Sequence, residues 1–452
     1  MHLITEPFRI RATEPIRFLS RAERREKLER ASFNLLRLSS RDVAVDLLCD
    51  GADLRFALDR LSDILRADDS WAGTGPLARM EAAVRELTGL EHVVPTRLGR
   101  SPARILLSTL VRPGHVVPGN AHGEAVRAIV EWSGAETRAL APARFPDTAE
   151  RSAFGGDIDL ESLGRVVEGA EVPLVVLTLC PDALGGGAVS LSNLRAAADL
   201  SRSRGVPLFL DATRFAENAF LCRAADRDRT GASLHEFARE ALASADGVFV
   251  DLERDRHSGL GGFIALLDGA LAERCRAAAR VSEGCAIAGG LPTSEYDSAA
   301  AAIRDGLDER VLAYRHRLSL HVFENLEALG VPLVGPPAPH AAFIDAERFL
   351  PHLSRSQQRA HALACALYLE GGVRAVPVGA ARPDSAAGVE KQRPLELVRL
   401  AIPTRSCTQS HVDHAVGALA ALLRQRGEIR GLKLVRESSP PLAECAEFEP
   451  AA

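Results

Sequence analysis

The densest set of side chains that could do chemistry lies in one short stretch, VDLERDRHSGLGG, at residues 250–262. Acidic and imidazole side chains alternate along it: Asp251, Glu253, Asp255 and His257. In an extended segment, alternating side chains share one face, an arrangement that could hold a metal ion or a cationic ligand. The other interpretation is a solvated charged loop, and the alternation alone does not separate the two.

Lysine is rare in this chain. Only three of the 55 basic residues are lysines, namely Lys27, Lys391 and Lys433. A Schiff base needs a neutral amine, whereas the guanidinium of arginine stays protonated at physiological pH. Chemistry that attaches a carbonyl cofactor to a lysine is therefore restricted to three positions.

Strand–helix alternation in the middle of the chain predicts the elements that position these side chains. Three apolar runs are typical of buried strands, at residues 172–179, 206–211 and 247–252. Helical patterns that end in glycine separate them. This order predicts an α/β fold with a mostly parallel sheet covered on both faces. Ligands of such sheets bind beyond the carboxyl ends of the strands, where Asp211 and Asp251 lie.

The pattern changes after about residue 310. A long amphipathic helix at 308–330 is followed by short strand candidates at 341–346, 373–379 and 395–403. We therefore predict a smaller α+β domain after the large one. The predicted division is an N-terminal segment at 1–45 that packs with the small domain, a large α/β domain at 46–311, a small α+β C-terminal domain at 312–435, and a tail at 436–452. The tail shows no clear periodicity and is expected to be mobile.

Composition restricts the classes of partner. The formal net charge is −5 and no block of like charge stands out, which argues against nucleic acid as a partner. No apolar run reaches the roughly 18 residues of a membrane span. The first residues carry charges and prolines where a signal peptide needs an apolar core. We expect a soluble, cytoplasmic protein without a membrane partner.

Several motifs along the chain resemble those of one family. They are EPFRIRATEPIR, FLDATRFAENAF, GGGAVSLSNLRA, HAAFIDA, ALYLEGGVRAV, LVRLAIPTR and TQSHVDH. In type and order they are similar to tryptophanase and tyrosine phenol-lyase, the aromatic amino-acid β-eliminating lyases, from about residue 6 to about residue 435. The resemblance implies a fold-type I, aspartate aminotransferase-like fold that depends on pyridoxal 5′-phosphate (PLP). It also implies a monovalent cation and a homodimer or homotetramer with active sites at subunit interfaces.

The resemblance implies that four cofactor-binding positions are retained. Asp211 corresponds to the Asp that pairs with the pyridinium nitrogen, and Arg214 follows it as in the family. Gly99 and Arg100 correspond to part of the phosphate cup at a helix N-terminus. Without the resemblance, Asp211 could equally be a cap at the end of a strand.

The resemblance also implies that eight positions around the cofactor are altered. At the cofactor, Leu98 replaces a side-chain amide of the phosphate cup, Asp251 replaces the Ser that bonds the phosphate, Gly123 replaces the Phe stacked on the ring, and Asp182 replaces the Asn at the phenolic oxygen. Glu253 and Arg254 replace two lysines, the second of which carries the Schiff base. Around the substrate, Trp71 replaces the Tyr that acts as an acid, and Thr404 replaces the Arg that binds the substrate carboxylate. Arg405, beside Thr404, is a candidate substitute for that Arg. Because Arg254 occupies the Schiff-base position, covalent attachment of PLP is excluded.

Three functions follow as hypotheses. In the first, the old cofactor pocket is reused for other chemistry or for binding of an amino-acid-like or aromatic ligand. In the second, the chain is a non-catalytic homologue that acts as a binding or assembly partner. In the third, it remains a PLP-dependent carbon–carbon lyase acting on tryptophan or tyrosine with a non-covalently held cofactor. The altered positions favour the first two over the third.

Overall fold

The computed structural model describes most of the chain. The described residues are 6–7, 15–49, 75–142, 154–229, 231–252, 261–284, 293–379, 395–403, 407–437 and 445–451. Their strands, in chain order, are β1 (Val45–Asp46), β2 (His92–Thr96), β3 (Val116–Gly119), β4 (Glu136–Ala139), β5 (Val175–Thr178), β6 (Leu208–Asp211), β7 (Gly247–Asp251), β8 (Gly262–Leu266), β9 (Ala341–Asp345), β10 (Val373–Arg374), β11 (Val376–Val378), β12 (Leu397–Ala401), β13 (Leu432–Arg436) and β14 (Glu447–Pro450).

Helices connect most of these strands. In chain order they are α1 (Arg21–Arg30), α2 (Gly75–Thr88), α3 (Ser101–Leu110), α4 (Glu124–Trp132), α5 (Leu160–Gly169), α6 (Leu191–Ser203), α7 (Phe215–Ala225), α8 (Leu234–Leu242), α9 (Gly269–Glu283), α10 (Thr293–Asp305), α11 (Glu309–Ala328), α12 (Ala346–Phe349), α13 (Arg359–Gly371) and α14 (Gln409–Arg424). Within the described ranges, no helix combines the length and the apolar character needed to cross a membrane.

Among the described residues the main sheet has five strands, in the order β2–β8–β7–β6–β5. β5, β6 and β7 run parallel to one another, as the strand–helix alternation predicts. β8 is antiparallel to both of its neighbours, β2 and β7, so the sheet is mixed. The carboxyl ends of β5, β6 and β7 therefore meet at one edge of the sheet.

Both faces of the main sheet are covered by apolar side chains. Along β5, Val175 packs in one hydrophobic cluster and Val176 packs in another. Along β6, Leu208 belongs to the first cluster and Phe209 to the second. Because successive strand residues point to opposite faces, a continuous apolar run is what a sheet covered on both sides requires.

Capping side chains begin the helices between these strands. Ser190 precedes α6, and its side chain accepts a hydrogen bond from the Asn193 N–H. Ser233 and Glu236 form a reciprocal capping box at the start of α8. Such caps satisfy backbone N–H groups that the first helical turn leaves without partners. The strands and helices predicted for this region are confirmed, with ends that differ by a few residues.

A second hydrophobic core joins the two ends of the chain. It contains Leu28 and Leu35 from the N-terminal segment and Leu318, Phe349 and Leu363 from the C-terminal half. β1 pairs in parallel with β10, and β11, β12 and β9 form an antiparallel sheet in that order. The boundaries of the predicted domains stay a prediction.

The predicted tail contains a strand that the sequence pattern does not indicate. β14 pairs antiparallel with β13, with a register shift between Leu434 and Arg436. Phe448 is its one large apolar side chain, and it stacks on His361 with 3.9 Å between the ring centroids. One apolar residue produces no periodic signal, so the expectation of a mobile tail is wrong for this strand.

Candidate functional site

The carboxyl edge of the main sheet gathers polar side chains from neighbouring strands. Thr178, Asp211 and Asp251 are the last residues of β5, β6 and β7, and Thr178 pairs with Asp211 in the register. Thr213 links two of these strand ends. Its hydroxyl donates to Asp211 Oδ1 at 2.8 Å and accepts from the Asp251 N–H at 3.2 Å. Both carboxylates therefore lie at the edge where ligands of such sheets bind.

The loop that follows β3 borders the same edge. Asn120 is fully buried, and its Oδ1 accepts from the Thr178 N–H at 2.9 Å. The Thr178 hydroxyl donates to the carbonyl of Ala121 at 2.8 Å. These bonds fix the loop against the end of β5. A Cβ added at Gly123, further along the loop, would meet no atom within 4 Å among the described residues.

His122 lies in this loop but carries no charge there. Its Nε2 donates to the carbonyl of Val117 at 3.1 Å. Burial lowers the pKa of the imidazole to about 4, because removal from water disfavours the charged form. His122 is therefore neutral at physiological pH and does not offset the acidic strand ends.

Asp182 lies at the centre of a buried ion cluster. It begins a 3₁₀ turn, Asp182–Leu184, shortly after β5. Its Oδ1 accepts from His340 Nε2 at 3.1 Å and lies 3.6 Å from Arg214 Nη2, and its Oδ2 accepts from Arg399 Nη1. Arg214 precedes α7, His340 precedes β9, and Arg399 belongs to β12. One carboxylate therefore joins the main sheet to the second group of strands.

The ion cluster continues into the helices behind Asp182. Arg214 Nη1 lies 3.8 Å from Glu217 Oε1, and Arg315 Nη1 donates to the same oxygen at 3.0 Å. Glu217 is fully buried and Arg315 is almost so, which is the usual condition for paired charges in a protein interior. We call these six residues the Asp182 cluster: Asp182, Arg214, Glu217, Arg315, His340 and Arg399.

The cluster keeps Asp182 ionised. Burial acts to raise the pKa of its carboxyl, but its two arginine partners and His340 outweigh this effect. The pKa is therefore held well below its usual range. A carboxylate that stays ionised accepts hydrogen bonds and donates none.

Two glycines allow the Asp182 turn to approach the second group of strands. Gly185 and Gly186 both have positive φ, +70° and +74°. A Cβ at Gly186 would lie 2.9 Å from atoms of Ala338, His340 and Phe343. Only glycine meets both conditions, a left-handed backbone and a close approach to neighbouring side chains.

Replacing Gly186 with alanine is expected to lower the free energy of unfolding by about 2–3 kcal/mol, from the positive φ and the steric overlap together. Gly205→Ala is the matched control, because Gly205 has φ +69° but no atom within 4 Å of an added Cβ. We expect about 1 kcal/mol there. Urea denaturation of both variants measures the difference, and equal losses would show that the close approach contributes nothing.

The loop between β2 and α3 carries Gly99 and Arg100, which the family resemblance assigns to the phosphate cup. Arg100 is the residue directly before α3, and the Leu98 side chain beside it is mostly exposed. A carboxylate lies against the same loop, since Glu283 Oε2 accepts from the Arg97 N–H at 2.8 Å. Sequence reasoning missed Glu283, which is 186 residues away along the chain.

Sequence reasoning also missed most of the Asp182 cluster. Asp182 and Arg214 were predicted site residues, whereas Glu217, Arg315, His340 and Arg399 were not. The available signal was the single charge of Arg399 within the apolar run LELVRLAIP. Arginine is almost never fully buried unless it is paired, so such a residue predicts a buried partner.

Several predicted site residues lie outside the described residues. They are Trp71, Glu253, Arg254, Asp255, His257, Thr404 and Arg405. Of the four candidate metal ligands only Asp251 is described, so the metal interpretation stays a prediction.

Comparison with known proteins identifies the family of this chain. Residues 46–418 match the family model described as beta-eliminating lyase. The tryptophanase of Hyphomonas neptunium is 38% identical over 448 residues, which cover 98% of this chain and 98% of that protein. The tyrosine phenol-lyase of Pasteurella multocida is 31% identical over 452 residues, which cover 99% of each.

Solved structures show the same fold at lower identity. The aromatic aminotransferase from Pyrococcus horikoshii has a TM-score of 0.62 at 15% identity and covers 90% of this chain and 99% of that one. A serine palmitoyltransferase of Sphingomonas wittichii has a TM-score of 0.57 at 18% identity and covers 85% of this chain and 88% of that one. The expected fold-type I architecture is confirmed. With relatives at more than 30% identity over nearly its whole length, the chain belongs to the beta-eliminating lyase family of tryptophanase and tyrosine phenol-lyase.

Proposed function

We propose that this family member does not attach PLP covalently, and that its pocket at the carboxyl ends of β5, β6 and β7 is reused for a small aromatic or amino-acid-like compound. The observation that carries the proposal is the pairing of Asp182 with Arg214, His340 and Arg399. The family resemblance assigns an Asn to this position, where it donates to the phenolic oxygen of the cofactor.

Asp182 does not fit that cofactor oxygen. An amide can donate to a phenolate, whereas an ionised carboxylate only accepts and repels a second negative charge. The pKa of Asp182 is held well below its usual range, so protonation does not remove the conflict. Its two arginine partners are engaged by the chain itself.

The phosphate end meets a similar conflict. Asp251 ends β7 at the position where the resemblance assigns a hydroxyl that bonds the phosphate. A carboxylate next to a phosphate of nearly two negative charges is unfavourable. Leu98, which stands for an amide, has no polar group to offer. Gly99 and Arg100 would still hold an anion at this end, and Asp211 would still face a pyridinium nitrogen.

No described lysine supports a Schiff base at this edge of the sheet. Lys27 belongs to α1 and lies 3.2 Å from Asp42, and Lys433 belongs to β13 and lies 3.6 Å from Glu449. Lys391 and Arg254 lie outside the described residues. A guanidinium at the Schiff-base position cannot form an aldimine. The residues present therefore do not fit covalently held PLP, and we derive no reaction step through it.

The ligand class rests on the relatives. Tryptophanase and tyrosine phenol-lyase carry aromatic amino acids in their names, and both cover nearly all of this chain. The same edge of the same fold supports a ligand of related size and shape. Asp211 and Asp251 are the ionisable side chains that these strand ends would offer such a ligand.

The cofactor test is reduction with borohydride after incubation with PLP. Borohydride converts an aldimine to a stable secondary amine, which intact-protein mass spectrometry detects as an added pyridoxyl phosphate group. We expect no residue of this chain to be labelled stoichiometrically, and only trace labelling of exposed amines such as Lys433. A serine palmitoyltransferase whose solved structure holds the PLP internal aldimine is the positive control. Stoichiometric labelling of this chain at one residue would overturn the proposal.

We also propose the predicted domain division, a homodimeric or homotetrameric assembly and a cytoplasmic location. The separate hydrophobic cores support the division, because one contains residues of 80–312 and another joins residues of 28–47 to residues of 314–448. The family resemblance supports the assembly. Proteolysis in the connecting segments and light scattering of the purified protein test these two statements.

A further inference from the structure

The side chains of the Asp182 cluster differ in their exposure to solvent. The Asp182 side chain is 19% exposed, whereas that of Arg399 is 10% exposed, that of Arg214 is 5% exposed and that of His340 is fully buried. The carboxylate is thus the most accessible part of the cluster around it. A ligand that reaches this position meets the negative charge before it meets either guanidinium.

The guanidinium of Arg399 is already largely occupied. Its Nη1 donates to Asp182 Oδ2 and its Nη2 donates to the carbonyl of Leu48 at 2.9 Å. Its Nε is buried and has no hydrogen-bond partner among the described residues. The buried Nε is out of reach of a ligand, and the positive charge of Arg399 is matched by Asp182 within the chain.

Charge counting leads to the same conclusion. The cluster holds three arginines, Arg214, Arg315 and Arg399, against two carboxylates, Asp182 and Glu217. Asp211, three residues before Arg214, supplies a third carboxylate at the end of β6. With an uncharged residue at position 182 the arginines would outnumber the carboxylates by one, which favours an anionic ligand group. With Asp182 the two are equal in number.

We propose that Asp182 determines the ligand specificity of this pocket and selects aromatic amines that lack a carboxylate over the matching amino acids. This inference rests on the proposed function, because it assumes a small aromatic or amino-acid-like ligand. The carboxylate of an amino-acid ligand near Asp182 would be repelled by its like charge. The cost of removing that ligand carboxylate from water would also not be offset, because the arginines of the cluster are already paired within the chain. An amine without a carboxylate avoids that cost.

Two pairs of commercial ligands test the inference directly. Tryptamine differs from tryptophan, and tyramine from tyrosine, only by the carboxylate. Isothermal titration calorimetry gives the Kd of each for the full-length protein. We expect each amine to bind at least about tenfold more tightly than its amino acid, since like-charge contacts at an interface are strongly unfavourable.

Two variants test whether Asp182 causes the preference for amines. Asp182→Asn leaves one more arginine than carboxylates with almost no change in shape, and we expect the amine preference to fall to about one or to reverse. The double variant Glu217→Gln with Arg315→Met is the matched control, because it removes one fully buried carboxylate of the cluster together with its arginine partner and leaves the count of arginines and carboxylates equal. It is expected to lower the melting temperature while the amine preference persists.

The outcomes separate the inference from the proposed function. Equal or tighter binding of the amino acids to the unsubstituted protein overturns the inference and leaves the proposed function standing. If the Asp182→Asn variant keeps the same preference for amines, residues other than Asp182 cause the selectivity, and the inference is also overturned. Binding of none of the four ligands overturns the inference together with the proposed ligand class. Covalent labelling by PLP in the reduction experiment overturns the proposed function by a separate readout.

Discussion

Replacing Arg315 with methionine is expected to lower the free energy of unfolding by about 3–5 kcal/mol, because it removes one partner of a buried ion pair. Arg315 on α11 donates to Glu217 Oε1 at 3.0 Å, and the Glu217 side chain is fully buried. Methionine has a similar length and fills most of the same space. The loss therefore comes mainly from a buried carboxylate that no longer accepts the 3.0 Å hydrogen bond from Arg315, while Arg214 lies farther from it, at 3.8 Å.

A double-substitution cycle separates this charge effect from packing. Arg315→Met combined with Glu217→Gln removes both charges, and we expect much of the lost stability to return, since a buried ion pair is often replaceable as a whole. Urea unfolding of the four proteins gives the coupling energy. A loss below about 1 kcal/mol for Arg315→Met alone would mean that the pair is solvated or compensated by other contacts.

Acidification is expected to destabilise the protein through His361. Its Nε2 donates to the carbonyl of Phe33 at 2.6 Å, and its ring stacks on Phe448 of β14. Burial lowers the pKa of His361 from 6.5 to about 4, although the Phe33 carbonyl acts in the opposite direction. Between these two pH values the unfolded chain binds a proton that the folded chain does not. Stability is therefore fully present above about pH 6.5 and falls as pH decreases to about 4, by about 3 kcal/mol.

His361→Gln isolates this contribution. Glutamine can donate to the Phe33 carbonyl but does not titrate, so the variant is expected to lose less stability than the unsubstituted protein between pH 7 and pH 5. Melting temperatures across this range measure both proteins under the same conditions. Parallel curves would show that other groups, and not His361, control the acid response.

Strands and helices of the middle of the chain follow directly from the sequence. Apolar runs that end in glycine-closed helices predict β5, β6 and β7, and all three are present and parallel. The direction of β8 could not be predicted from the sequence, because a buried antiparallel strand and a buried parallel strand have the same apolar pattern. β14 gave no signal at all, since its pairing depends on the single side chain of Phe448.

The candidate site was predictable in location but not in its contacts. Asp211 and Asp251 lie at the carboxyl ends of strands, which is where the topology of such a sheet predicts a ligand site. The partners of Asp182 come from positions 158 and 217 residues away, His340 and Arg399. No periodic pattern encodes such pairs, because they depend on how two cores pack. The resemblance identified Asp182 as altered, and the structure shows what its carboxylate contacts.

Under the proposed function, the ion pairs of Asp182 also make a change of this pocket toward lysine-bound PLP less favourable in evolution. Reverting Asp182 to an amide removes a charge that two buried arginines now share, so the first step back costs stability. A lysine regained at position 254 would bring no benefit until that step and a change at Asp251 had occurred. Lysine chemistry in this pocket would therefore need changes at positions 182, 251 and 254 together, and the change at 182 lowers stability by itself.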